Sequence, residues 1–143
     1  MSVVDRAHVR RWVAAYERAW RTPGTAVLDE LFTADATYRP SPWARPVEGL
    51  TAIAAFWEKG RDGPDETFTM TSQIVAADGD TAVVRVAVDY GPPDGGRWRD
   101  LWVLRFDAGG RCSAFEEWPF APGQHDGHEE DGSSGSASPG GAP

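Results

Sequence analysis

Residues 97–120 read RWRDLWVLRFDAGGRCSAFEEWPF, and the order of side chains there repeats every two residues. Trp98, Asp100, Trp102, Leu104 and Phe106 share one face, while Arg97, Arg99, Leu101, Val103 and Arg105 share the other. That period belongs to a strand. Asp107-Ala108-Gly109-Gly110 is turn chemistry, so residues 111–120 return as a second strand of a hairpin. The same period extends upstream through residues 81–90 and 68–76, with turn signals at Asp78-Gly79-Asp80 and across 91–96. The expected result is a four-stranded antiparallel meander.

Upstream of Glu66 the period is helical. Val9, Trp12, Val13, Tyr16 and Trp20 recur at spacings of three and four, with Arg6, Arg10, Arg11, Glu17 and Arg18 on the opposite side. This is an amphipathic helix with Asp5 as N-cap, ended by Pro23-Gly24. A shorter helix fits residues 25–32, burying Val27, Leu28, Leu31 and Phe32. Residues 37–39 read as a short strand, followed by the proline-punctuated loop 40–46 that holds Trp43. A third helix fits 50–59, with Ile53, Phe56 and Trp57 inward and a break across 60–64. The fold class is therefore α+β, with three N-terminal helices packed on one face of a mostly antiparallel sheet.

Composition confines this body to residues 1–120. Residues 121–143 contain no Leu, Ile, Val, Phe, Trp or Tyr, and this Gly/Ser/Pro/acid-rich stretch is expected to be a disordered tail. Of the formal charge of −8, the tail carries −4. The acidic body has no basic cluster, only the Arg10-Arg11 pair and a single lysine, Lys59, so nucleic acid is not an expected partner. No apolar run is long enough for a transmembrane helix, and no membrane partner is expected. The start, MSVVDRAHVRR, lacks a secretory pattern, and a cytoplasmic location is expected. One cysteine, Cys112, and three histidines exclude a Cys/His zinc module, and no metal site is expected. Cys112 reads as a small buried apolar residue. His125 and His128 fall in the tail.

Strand parity then sorts side chains into faces. A symmetric 107–110 loop places Phe106 opposite Arg111, Trp102 opposite Phe115 and Asp100 opposite Glu117. The same rule at 91–96 pairs Tyr90 with Arg97, Asp89 with Trp98 and Arg85 with Trp102. One surface then gathers Val83, Arg85, Asp89, Trp98, Asp100, Trp102, Leu104, Phe115 and Glu117, and the helices should roof it. The other gathers Val84, Val86, Val88, Leu101, Val103, Ala114 and Trp118. It is apolar enough to predict a homodimer through the outer sheet face.

Tyr16 on the first helix, LFTADATY at 31–38, Gly49 before IAAFW at 53–57, and LRFDAGGR at 104–111 occur in this order. On these residues the chain resembles the nuclear transport factor 2-like superfamily, in particular its SnoaL-like branch, over roughly residues 5–120. The resemblance implies a curved sheet wrapped around a long helix as an open cone, a hydrophobic pocket inside, and often a dimer through the outer face. The superfamily holds ketosteroid isomerases, polyketide cyclases, scytalone dehydratase, limonene epoxide hydrolase and many proteins without catalysis. Tyr16 matches the tyrosine that donates to an oxyanion in the isomerases. Their base carboxylate falls at Pro40 and their second donor at Trp102. The pocket histidine of the cyclases and dehydratase has no counterpart, since His8 lies at the helix start.

The expected function is binding of a small hydrophobic organic ligand. Chemistry, if present, is cofactor-free acid–base catalysis: isomerisation, cyclisation, dehydration or hydrolysis. Asp100 and Glu117 form the acid–base pair, because adjacent carboxyls in a dry pocket do not both ionise. Arg85 is their electrostatic partner and Tyr16 a donor. Trp20, Tyr38, Trp43, Phe56, Trp57, Asp89, Trp98, Trp102 and Phe115 are expected to line the pocket, with Trp43 either a lid or a plug over the helix–sheet seam. The competing reading makes Arg85, Asp89, Asp100 and Glu117 a structural ion-pair cluster, in a non-catalytic ligand-binding or protein-interaction module.

Overall fold

A computed structural model of the 143-residue chain describes residues 4–60, 67–91 and 96–124. The expected tail disorder, and His125 and His128, lie outside the described residues. Helix α1 spans Arg6–Arg21, and Asp5 caps it by accepting the backbone N–H of His8 at 2.9 Å. Its apolar stripe buries Val9, Trp12, Val13, Tyr16 and Ala19. The Trp12 indole N–H donates to the Leu31 carbonyl at 3.0 Å and so ties α1 to α2, Leu28–Leu31.

Here the chain departs from the periodicity reading. Helix α2 is one turn, and Phe32 already opens strand β1, Phe32–Arg39. The aromatic and β-branched residues of 32–39 pair with strands on both sides, and that pairing outweighs the local helical pattern. Strand β2, Val47–Glu48, and helix α3, Leu50–Gly60, follow. Strands β3, Thr69–Asp78, β4, Thr81–Asp89, β5, Arg97–Phe106, and β6, Cys112–Phe120, complete the fold.

The sheet has six strands in the order β2-β1-β6-β5-β4-β3, so the expected four-strand meander is extended at one edge. Strand β1 lies parallel to β6 and antiparallel to β2. Hairpin rules see only chain neighbours, and the β1–β6 pair joins segments far apart in sequence. With β2 and β3 at its two edges, the sheet is open among the described residues; bulges in β3 and near the start of β6 add local bend and twist.

Two registers differ from the symmetric-loop expectation. Between β4 and β5, Asp89 rather than Tyr90 faces Arg97, and Val84 rather than Arg85 faces Trp102. This single-residue slip turns β4 over relative to β5. Val84 and Val86 are buried beneath the helices, and Arg85 is exposed on the outer face. The physical reason is cost: the expected register would bury an arginine and expose valines. The turn agrees, because the Asp89 carboxylate accepts the N–H of Gly91 at 2.8 Å and Gly91 takes φ 79°.

Between β5 and β6, Trp102 faces Glu117, Leu104 faces Phe115 and Asp100 faces Pro119. The slip is two residues: the turn closes Phe106 on Cys112 rather than Arg111, and a bulge that leaves Ser113 unpaired adds the second. An even slip preserves parity, so Asp100 and Glu117 stay on one face as diagonal rather than directly opposed neighbours.

The outer face is accordingly less apolar than expected. Val84, Val86 and Val88 lie inside, and Arg85, Arg99 and Arg105 alternate with Val83, Leu101 and Val103 outside. Trp118, 40% exposed, donates its indole N–H to the Glu116 carboxylate at 2.6 Å there. Among the described residues, no helix is long and apolar enough to cross a membrane.

Candidate functional site

The inner face of β4, β5 and β6, with α1 and α3 against it, leaves a hollow of about 380 Å³. It is placed by strand parity. On β5, Trp98, Asp100 and Trp102 point into it in succession, and Glu117 of β6 adds a second carboxyl. Helix α1 contributes Tyr16 and Trp20 one turn apart, β1 contributes Tyr38, and α3 contributes Phe56, which is 37% exposed.

Asp100 is the buried acid of the core, 7% exposed. Its Oδ2 is 3.4 Å from the indole N–H of Trp102, a long contact, and its Oδ1 receives no N–H or hydroxyl from the described residues. The carboxyl of Glu117 is its hydrogen-bond neighbour. Burial pushes the Glu117 pKa well above the ordinary carboxylate range, and the hydrogen bond with Asp100 and its charge push the same way. A proton kept on Glu117 avoids two negative charges side by side in a poorly hydrated space.

The Tyr16 and Tyr38 hydroxyls lie 3.2 Å apart, and either can donate to the other. Burial raises both phenol pKa values; the Tyr38 hydroxyl and then Glu117 add to the rise at Tyr16, and Glu117 leads the additions at Tyr38. One O–H proton joins the two oxygens, which leaves one to offer to a bound molecule. Phe115 fixes both rings from behind, stacked on Tyr38 at 4.5 Å and on Tyr16 at 5.5 Å between centroids. Trp57 meets Tyr16 edge-on at 5.0 Å.

Eight of the thirteen expected site residues therefore line the hollow: Asp100, Glu117, Tyr16, Trp20, Tyr38, Phe56, Trp98 and Trp102. Phe115 and Trp57 are buried in the core behind it. The other three are elsewhere. Arg85 is turned outward by the β4 register and donates to the Gln73 side chain at 2.9 Å. Asp89 is exposed and caps the turn at Gly91. Trp43 is 97% exposed and does not reach the lining of the hollow. The four-member ion-pair cluster does not form for the same reason: Arg85 and Asp89 face away from Asp100 and Glu117.

Residues missed by the sequence reading also reach the hollow, among them Val88 and Met70, which face each other across β4 and β3, and Pro40. The corrected β4 parity identifies Val88; Pro40 stands where the resemblance places the isomerase base, so no acid occupies that position. His8 is remote from the hollow's lining and contacts the Gly110 carbonyl at 2.9 Å through Nε2. Among the described residues, no group of three or more His, Cys, Asp or Glu is placed to hold a metal ion.

A model of the SnoaL-like domain matches residues 9–115, and the chain belongs to that family. The fold recurs in solved structures at low identity. One is SalBIII, an epoxide hydrolase/cyclase-like enzyme with a role in pyran ring formation in the polyether salinomycin. It is 19% identical at a TM-score of 0.64, over 81% of this chain and 93% of that one. Another is a nuclear transport factor 2-like protein of unknown function from Cytophaga hutchinsonii. It is 12% identical at a TM-score of 0.60, over 79% of this chain and 98% of that one. No curated protein matches the chain.

Proposed function

We propose that this chain binds a small apolar cyclic molecule in its hollow and moves protons on it without a cofactor, Asp100 acting as base and Glu117 as acid. One observation carries the reading: two carboxyls, diagonal neighbours on β5 and β6, open together onto an aromatic-lined space. Glu117, held protonated by burial and by Asp100, gives its proton to a substrate oxygen while Asp100 takes one from a substrate C–H or O–H. The pair ends as protonated Asp100 and ionised Glu117, and their contact lets the proton return to Glu117. Substrate atoms are conserved, as in isomerisation or in ring opening by an internal hydroxyl; with water as the nucleophile, the same cycle hydrolyses. The free O–H of the Tyr16–Tyr38 pair stabilises negative charge developing on oxygen. SalBIII, with the same fold and an epoxide hydrolase/cyclase-like description, supports ring opening or closure as the reaction type.

A second reading, a non-catalytic binding module, is favoured by the loss of Arg85 from the site: among the described residues, no arginine or lysine lines the hollow to select which carboxyl ionises. A homodimer through the outer face remains part of both readings. Leu101, Val103, Trp118 and Phe120, the last 45% exposed, support it.

The test is a thermal-shift screen of terpenoid epoxides, aromatic polyketides and steroids, followed by product analysis on every binder. Asp100→Asn and Glu117→Gln should each reduce turnover by at least ~10²-fold with the fold retained, and Arg85→Ala should match the parent. Full activity in both carboxyl variants refutes the acid–base pair. Binders with no turnover in the parent protein assign the module instead.

A further inference from the structure

The lining of the hollow is unusual in its charge. Among the described residues, eight of its side chains are aromatic, two are carboxyls, and none is Lys, Arg or His. Three of the eight are indoles, Trp20, Trp98 and Trp102. Asp100 sits between two of them on β5, and its buried Oδ1 has no N–H or hydroxyl donor among the described residues. Aromatic faces carry partial negative charge, and a carboxylate adds a full one. An anion entering here meets repulsion, and a neutral molecule without an O–H or N–H leaves Oδ1 unsatisfied and the carboxylate charge uncompensated. A positively charged ligand head answers both.

We infer that the hollow selects an apolar ligand bearing a protonated or quaternary amine, its cationic head held by the Asp100 carboxylate among the aromatic side chains. This rests on the hollow being the ligand site, as in the proposed function, and names the class of molecule it takes. The wall already shows such a contact on its far side. The Arg21 guanidinium lies 3.9 Å from the centroid of Phe68, a lining residue. Arg21 is itself paired with Glu17 at 2.7 Å, so its charge is offset outside the hollow.

The test uses three probes of one shape on the full chain at physiological ionic strength: benzyltrimethylammonium, its neutral carbon isostere neopentylbenzene, and the anion phenylmethanesulfonate. Tryptophan fluorescence and calorimetry read the binding. The cation should bind about tenfold or more tightly than the neutral isostere, and the anion should not bind. Asp100→Asn should remove most of that preference and leave neopentylbenzene binding unchanged. Trp98→Leu should weaken the cation more than the isostere, which keeps the test intact if the Asp100 variant does not fold. Equal or tighter binding of the isostere overturns the amine inference and leaves the proposed function standing. Failure of all three probes to bind overturns both.

Discussion

Replacing Glu117 by glutamine should flatten the pH dependence of stability. Folded Glu117 keeps its proton to higher pH than the unfolded residue does, because burial, then the hydrogen bond with Asp100 and its charge, oppose ionisation. An unfolded glutamate releases its proton near ~4.3. Above that pH the folded chain binds more protons than the unfolded one, so stability falls as pH rises. The contribution is complete below the unfolded value and is lost as pH climbs through the folded one. One proton of difference gives a slope of about 1.4 kcal/mol per pH unit. With a urea dependence of ~1–3 kcal/mol per molar, the midpoint falls by about 0.5–1.4 M per pH unit. Glutamine keeps the shape and can still donate to Asp100, but it has no proton to lose.

The assay is urea unfolding read by tryptophan fluorescence from pH 5 to 8, with parent and Glu117→Gln compared at each step. The difference between them cancels histidines and surface carboxylates common to both. Stopping at pH 8 avoids Cys112, Tyr16 and Tyr38, whose raised values add losses of the same sign at higher pH. The variant should gain on the parent as pH rises. Parallel curves would mean that Glu117 ionises as freely in the fold as outside it, and the argument for a protonated Glu117 would fail.

Two further outcomes follow from packing. Gly110 takes φ +89°, and a Cβ there would meet His8 Cε1 at 2.8 Å; Gly110→Ala should cost about 1–3 kcal/mol in urea unfolding. Part of that cost should disappear in a His8→Ala background, and equal costs in both backgrounds would refute the contact. Cys112 is fully buried, its thiol donates to the Ala114 carbonyl at 3.2 Å, and burial raises its pKa to about 12. An aromatic disulfide reagent at pH 8 should react with it roughly 10³-fold or more slowly in the native protein than in urea; comparable rates would place the thiol at the surface.

Local pattern carried the fold a long way. The stripe of α1 and its Asp5 cap, the extent of α3 and the span of β5 all follow from periodicity and turn residues within each segment. Where the sequence reading failed, the deciding contacts were distant. Phe32 looks helical beside Leu28 and Leu31, and becomes strand because β6 pairs with it. Arg85 and Asp89 sit on a strand whose alternation is plain, but alternation alone does not say which of two faces turns inward.

The chain's order of residues determined an α+β body, strand by strand, and placed Asp100, Trp98 and Trp102 together, because side chains two apart on one strand must share a face. Only the assembled sheet decided what joined them. Loop geometry and bulges shift register by whole residues: an odd shift removed Arg85 from the site, and an even one kept Glu117 beside Asp100.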